Sequence, residues 1–164
     1  RMPLMRWKRF FLGKRKMIDF EQLRIELESD EGCEYKVYLD HLGYPTFGIG
    51  HLIKETDEEY GCEVDTPVSP ERVQEAFEDD VQSTYNDCVR LYPDFDMLPT
   101  EAQLIIGNMM FNMGLTRLSK FKLMKKAVDN RDFEEAAAQM KDSKWYFQVT
   151  NRADRLVSRM KSLA

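Results

Sequence analysis

The segment TEAQLIIGNMMFNMG, residues 100–114, restricts the fold of this chain more than any other stretch. Apolar side chains occupy nearly all of its faces, so a helix formed here must be surrounded by other elements. Thr100 followed by Gln103 predicts a capping box at its start, and Gly114 predicts its end. With 164 residues the chain is long enough to bury such a helix without disulfide bonds.

Other segments with helical periodicity supply the layers around this helix. Apolar residues recur at helical spacing from residue 20 to residue 27, and Gly32 follows, which predicts a first helix ending near Glu31. Ser69 and Pro70 are typical of an N-cap and a first helical position, and predict a long helix to about residue 91. Three shorter helices are predicted at 117–129, 132–142 and 150–161, the last capped by Thr150.

A short β-structure is predicted between the first two helices. Residues 35–40 alternate between two faces, the sequence HLGYP makes a turn, and TFGIGHLI returns as a second strand. Residues 54–68 are expected to be a loop or at most a weak third strand. The predicted class is α+β and mostly α: a hairpin-containing lobe (17–68), a connecting helix (69–91) and an all-α lobe (92–164), forming a single domain 17–164.

Residues 1–16 form a basic arm with seven Lys or Arg and no acid, although the net charge is −5. Its apolar run of three residues is too short for a cleavable signal peptide, so synthesis in a cytoplasm is expected. The arm fits weak contact with an anionic membrane or wall polymer, and a disordered leader is the alternative. Cys33, Cys62 and Cys88 are widely spaced and indicate no disulfide framework or metal site.

The stretch SDEGCEYKVYLDHLGYPTFGIGHLI, residues 29–53, carries the candidate chemistry. Glu31 falls in the last turn of a helix, where the helix dipole and neighbouring acids favour its protonated form. Asp40 and Thr46 flank the turn as near cross-strand neighbours, and the glycines that follow allow a flat ligand close to the backbone. Two such carboxylates around one cleft are the pair that most glycoside hydrolases use, and solvated surface acids are the alternative.

The motifs DEG, YLD and GYPTFGIGH, with the spacing of Glu31, Asp40 and Thr46, resemble the catalytic motif of the phage-type lysozymes, the muramidases of glycoside hydrolase family 24. FEQLRI, MMFNMG and FEEAAAQMKDSKWYFQVTNRADR resemble helices of the same family, so the likeness covers about residues 17–160. The resemblance implies a lysozyme-like fold. The stretch after His51 is shorter than in well-known members.

The resemblance also implies a role for each matching residue. Glu31 would be the general acid, and Asp40 would stabilise the oxocarbenium-like transition state and, with Thr46, hold the attacking water of an inverting reaction. Arg152 would pair with Glu31, and His51 with Asp80, as structural supports. Substrate contacts would fall on the following residues: Leu52, Phe111, Asn112 and Gln139. Phe111 as a core residue is the alternative, and no metal or cofactor is expected.

The leading hypothesis is therefore an endolysin-like N-acetylmuramidase that cleaves the β-1,4 bond between N-acetylmuramic acid and N-acetylglucosamine in peptidoglycan. It would be a bacteriolytic phage enzyme, made in the host cytoplasm and acting on the cell wall after release. A chitin-type glycan hydrolase, an inactive glycan-binding domain and a membrane-permeabilising arm on a passive carrier are the alternatives. A monomer without a nucleic-acid partner is expected.

Overall fold

The computed structural model describes residues 18–164, so the basic arm 1–16 and the proposals made for it lie outside the described residues. The N-terminal elements are α1 (Phe20–Glu31), β1 (Glu34–Leu39), β2 (Pro45–Gly48), β3 (His51–Leu52) and α2 (Pro70–Leu91). A 3-10 turn (Phe95–Met97) leads to α3 (Thr100–Met113), α4 (Leu115–Leu118), α5 (Lys122–Asp129), α6 (Phe133–Lys141), α7 (Lys144–Gln148) and α8 (Thr150–Lys161). The predicted α+β, mostly α class is confirmed. Within residues 18–164 no helix is both long and apolar enough to cross a bilayer.

Helix α3 is the buried centre of the molecule, as its sequence predicts. Ile105, Ile106 and Met109 have no exposed surface, and α3 packs against α1, α2, α4 and α8. The predicted capping box is wrong: Pro99 precedes the helix without a side-chain cap. Gln103 is buried and donates its amide hydrogens to carbonyl oxygens of the preceding turn, because a buried amide must find partners wherever the fold offers them.

The β-structure is a three-stranded antiparallel sheet in the order β1-β2-β3. A single return strand was predicted, and this is wrong, because a tight turn between Gly48 and His51 divides it into β2 and β3. Gly48 and Gly50 both have a φ of +64°, a conformation that side chains other than glycine rarely adopt. A Cβ on Gly48 would lie 2.9 Å from Cγ1 of Val73, so this glycine also lets the sheet pack closely on α2.

The segment 53–69 joins the sheet to α2 mainly through turns, in agreement with the predicted loop. Its last part runs beside β1, where the Val37 N–H donates to the Thr66 carbonyl and the Asp65 N–H donates to the Val37 carbonyl. An isolated antiparallel bridge joins Lys36 to Pro67. The segment is therefore attached to the open edge of β1, although it forms no regular strand.

The C-terminal helices are more divided than their periodicity predicts. The helix expected at 117–129 is two helices, α4 and α5, separated by a turn at 119–121. Helix α7 was not predicted; the Ser143 side chain accepts from the N–H of Tyr146 and caps it. Thr150 is the first residue of α8 and makes no cap hydrogen bond to the helix N–H groups, so its predicted capping role is wrong. The division into lobes at 17–68, 69–91 and 92–164 stays a prediction.

Candidate active site

A cleft of about 470 Å³ lies between the β-structure and helices α2, α3 and α7. It brings together the three residues predicted to be catalytic, Glu31, Asp40 and Thr46. They come from three different elements: the last residue of α1, the turn after β1, and β2. The sequence motif therefore folds into one concave surface, which is the arrangement that a two-carboxylate reaction on a polymer requires.

Glu31 is held from two sides. Nη1 of Arg152 donates to its Oε2 at 2.8 Å, and the Glu31 side chain is 18% exposed. On the other side, a Cβ on Gly50 would lie 3.0 Å from Oε1 of Glu31. The bare backbone of Gly50 thus makes room for this carboxyl group, which gives the second glycine of the motif a steric function.

A buried polar network that the sequence did not reveal holds Arg152 in place. Nε of Arg152 donates to Oδ1 of Asn108 at 2.8 Å, and Nδ2 of Asn108 donates to Oδ2 of Asp30 at 2.9 Å. Arg155 donates to the other oxygen of Asp30 at 2.6 Å. Burial acts to raise the pKa of Asp30, but these hydrogen bonds and the nearby arginines outweigh it and hold the pKa below its ordinary value. The network thus contains two carboxylates, Asp30 and Glu31, balanced by two arginines.

Asp40 is oriented by the turn that it begins. Its Oδ1 accepts from the N–H of Leu42 at 2.9 Å and from the N–H of Tyr44 at 2.8 Å. Thr46 Oγ1 donates to the Tyr44 carbonyl at 2.9 Å. Because that bond uses the only hydroxyl proton of Thr46, any further ligand of this oxygen must donate to it. Thr46 is therefore prepared to accept a hydrogen bond from a water molecule or a sugar hydroxyl.

His51 lies beneath the cleft between two carboxylates. Its Nδ1 is 2.6 Å from Oδ2 of Asp80, the partner that the resemblance implied, and its Nε2 is 2.8 Å from Oδ2 of Asp57. Because both partners are carboxylates, which accept hydrogen bonds when ionised, the arrangement favours a proton on each ring nitrogen, that is, the imidazolium form. Burial acts to lower the pKa of His51, but the hydrogen bonds and charges of Asp80 and Asp57 outweigh it and raise the pKa.

Asp57 belongs to the segment 53–69, and nothing in the sequence singled it out among its acidic neighbours. Nη2 of Arg72 donates to its Oδ1 at 3.1 Å, and Arg72 also binds Glu59 and Glu75. The guanidinium carbon lies 5.4 Å from the centre of the Phe47 ring. These contacts attach the segment to α2 and to His51, so charged side chains hold the predicted loop in place.

The predicted substrate contacts are only partly brought together. Leu52 is about half exposed and lines the cleft, as do Phe111 and Asn112. Phe111 packs edge-on against Phe77, with ring centres 5.9 Å apart, so it belongs to both the core and the cleft. Asn112 accepts a hydrogen bond of 2.7 Å from Nε1 of Trp145, which fixes the indole at the cleft wall.

Gln139 is the exception among the predicted contacts. It does not line the cleft; it borders a separate shallow depression together with Met124. Its amide donates to Glu135 at 2.7 Å, one turn earlier in α6. Gln139 therefore lies apart from the cleft lining, and its role as a substrate contact stays a prediction.

No group of three or more His, Cys, Asp or Glu side chains within residues 18–164 is arranged to hold a metal ion. The cysteines in this part of the chain are all free. The polar groups of the cleft include carboxylates, hydroxyls and amides, together with the side chains of His41, His51, Lys54 and Arg117, and the carboxylates are suited to acid–base chemistry on a neutral polymer.

Comparison with known proteins places this chain in a family. The family model described as phage lysozyme matches residues 28–162. The chain is 33% identical over 152 residues to "Probable T4-type lysozyme 1" of Dictyostelium discoideum, covering 80% of this chain and 89% of that protein.

Two longer proteins contain a similar region. "Pre-baseplate central spike protein Gp5" of Enterobacteria phage T4 is 33% identical over 148 residues, which cover 79% of this chain and 26% of the spike protein. "Peptidoglycan hydrolase gp36" of Pseudomonas phage phiKMV is 30% identical over 137 residues, which cover 84% of this chain and 15% of that protein. The chain thus spans about a quarter of the spike protein and a smaller part of the phiKMV hydrolase. Since the family model covers most of the chain, this protein belongs to the phage lysozyme family of glycoside hydrolases.

Proposed function

We propose that this protein is an N-acetylmuramidase, which hydrolyses the β-1,4 bond between N-acetylmuramic acid and N-acetylglucosamine in bacterial peptidoglycan. Membership of the phage lysozyme family supports peptidoglycan degradation, and one relative is named a peptidoglycan hydrolase. The observation that carries the proposal is the placement of Glu31, Asp40 and Thr46 around one open cleft, with Arg152 holding the acid.

Glu31 acts as the general acid in this proposal. Its Oε2 is bound by Arg152, so Oε1, the oxygen beside Gly50, transfers the proton to the glycosidic oxygen. The bond between the anomeric carbon and that oxygen breaks as the leaving oxygen becomes a hydroxyl. A positioned acid of this kind contributes a rate factor of about 10² to 10⁴.

Asp40 and Thr46 act on the opposite side of the bond. The water donates one hydrogen bond to Thr46, whose own proton is committed to the Tyr44 carbonyl. Asp40 takes the other water proton through Oδ2, because Oδ1 is occupied by two backbone N–H groups. The water oxygen then bonds to the anomeric carbon from the face opposite the leaving group, and the configuration inverts.

The test is the release of new reducing ends from purified peptidoglycan. We expect the unmodified protein to produce muramic reducing ends of inverted configuration, detected by NMR immediately after cleavage. Glu31→Gln should lose at least about 100-fold of this rate, whereas Glu28→Gln, an exposed carboxylate on the same helix, should keep it. Muramic ends of retained configuration would contradict the roles given to Asp40 and Thr46, and faster cleavage of chitin oligomers would contradict the substrate.

In this proposal residues 17–164 act as one catalytic domain, and the protein acts as a monomer. It is made in the host cytoplasm and reaches the cell wall after release. Size-exclusion chromatography with light scattering tests the monomer. A mass corresponding to two chains would contradict it.

A further inference from the structure

The flank of α2 that faces away from the catalytic cleft carries a stripe of polar side chains. Gln74, Glu78 and Gln82 are spaced by four residues, so they lie above one another on the helix. Asp80 and Asp87, which line the cleft, lie on the opposite flank of the same helix. The stripe is covered although it is polar, because Gln74 and Gln82 are partly buried and Glu78 is only 6% exposed.

Two oxygen atoms of this stripe are buried and have no hydrogen-bond donor among the described residues. Nε2 of Gln74 donates to Oε1 of Glu78 at 3.1 Å, but Oε2 of Glu78 has no partner there. Nε2 of Gln82 donates to Oδ1 of Asn86 at 3.0 Å, but Oε1 of Gln82 likewise has no partner there. Buried acceptors without donors are destabilising and rare in folded proteins. The stripe therefore requires a donor from elsewhere.

Arg24 of α1 approaches this flank of α2 but does not supply that donor. Its guanidinium carbon lies 6.0 Å from the centre of the Phe77 ring, and its Nε is buried without an acceptor in residues 18–164. No ion pair joins Arg24 to Glu78 in this part of the chain. Because one of the two acceptors is a carboxyl group, a cation is the donor that suits it best.

The chain enters the described structure beside this stripe. The Phe20 ring packs edge-on against Tyr85 of α2, with ring centres 5.3 Å apart. Tyr85 follows Glu78 along α2 by a distance of about 10 Å, at a rise of about 1.5 Å per residue. An extended chain covers up to about 3.5 Å per residue, so residues 14–16 can reach Glu78 from the start of α1.

We propose that the basic arm, residues 1–16, binds this flank of α2. The cations at 14–16 donate to Oε2 of Glu78 and to Oε1 of Gln82. The arm carries seven Lys or Arg and no acid, so its charged side chains are all donors. Since the whole chain has a net charge of −5, residues 17–164 have one of −12, and opposite charge favours the contact. An arm held here leaves the cleft open, and the contact does not depend on the muramidase function.

The test is limited proteolysis of the full chain with trypsin, which cuts after Lys and Arg. Glu78→Gln keeps the acceptor for Gln74 but removes the charge, and Asp79→Asn makes the same change at an exposed neighbour. Cleavage after residues 14–16 should be at least about tenfold faster in Glu78→Gln, the effect of losing one charged hydrogen bond, and unchanged in Asp79→Asn. Slow cleavage within 18–164 in every protein shows that the variants remain folded. Equal cleavage rates after 14–16 in the three proteins would overturn the proposal.

A double-mutant cycle tests the same contact from the side of the arm. Lys14→Gln/Arg15→Gln/Lys16→Gln should raise the equilibrium constant of urea unfolding by at least about tenfold. The same change should have less than about a twofold effect in a Glu78→Gln protein, where the contact is already lost, and its full effect in an Asp79→Asn protein. An equal effect in the Glu78→Gln and Asp79→Asn proteins would overturn the proposal.

Two further outcomes of the proteolysis would assign the arm to another partner. Vesicles of phosphatidylglycerol provide an anionic membrane. If the arm is cut equally fast in the unmodified protein and in Glu78→Gln, and is protected only when vesicles are present, it binds membranes and the proposal is wrong. If protection in the unmodified protein disappears on dilution, the arm binds a second copy of the chain, which contradicts a contact within one molecule.

Discussion

The two carboxylates that bind His51 should make the stability of the fold depend on pH. We consider Asp57→Ala. The Asp57 side chain is 14% exposed and accepts hydrogen bonds from His51, from the Lys54 N–H and from Arg72. Removing one member of a buried ion pair costs about 3–5 kcal/mol. Because Arg72 keeps Glu59 and Glu75 as partners, we expect the lower part of that range, about 3 kcal/mol, at pH 5.5.

The pH dependence follows from the pKa of His51, which is raised in the folded protein above its ordinary value of 6.5. A raised histidine pKa stabilises the fold fully below about pH 6.5, and this stabilisation is lost as the pH rises through the folded pKa. Asp57→Ala removes one of the two carboxylates that raise it. Each unit by which the variant lowers the pKa reduces the stabilisation at low pH by about 1.4 kcal/mol. The loss of stability should therefore be smaller at pH 9 than at pH 5.5.

Urea unfolding at both pH values measures this difference, with Glu58→Ala as the control because Glu58 is an exposed acid next to Asp57. NMR titration follows the pKa directly, since the chain has two histidines and the exposed His41 serves as a reference in the same spectrum. An equal loss of stability at pH 5.5 and pH 9, or a His51 pKa that does not fall in the variant, would refute the reasoning.

Three further changes test the site. Gly50→Ala and Gly61→Ala both place alanine at a positive φ, at a cost of about 1–2 kcal/mol in thermal unfolding, but only the first puts a Cβ 3.0 Å from Glu31 Oε1. Only Gly50→Ala should therefore lower kcat on peptidoglycan, and equal kcat values would contradict the steric role. Asn108→Ala leaves Asp30 and Arg152 without their hydrogen bonds to Asn108, so chemical denaturation should show a loss of about 1–3 kcal/mol in the free energy of unfolding. The kcat should also fall. An unchanged kcat would show that the network does not position Glu31. Thr46→Val should lower kcat with little change in KM, and a change in KM alone would assign this hydroxyl to sugar binding.

The sequence by itself determined the structural features that depend on residues close to one another along the chain. The N-cap at Ser69, the start of the long helix at Pro70, and the end of the first helix at Glu31 are set within one helical turn, and the structure has all three. The central helix was predictable because an apolar surface on every side permits only a buried position. Glu31, Asp40 and Thr46 lie within 16 residues of one another, so a helix end and a hairpin suffice to bring them to one cleft.

Only the tertiary structure decided which distant residues complete the site. Asn108 and Arg152 approach Glu31 from helices α3 and α8, and Asp57 reaches His51 because the segment 53–69 folds back onto α2. The same packing directs Gln139 away from the cleft. Periodicity and capping patterns describe a residue's surroundings over about one helical turn. The contacts named here join residues that are far apart in the chain or depend on how a loop folds. They therefore form only when the elements pack together.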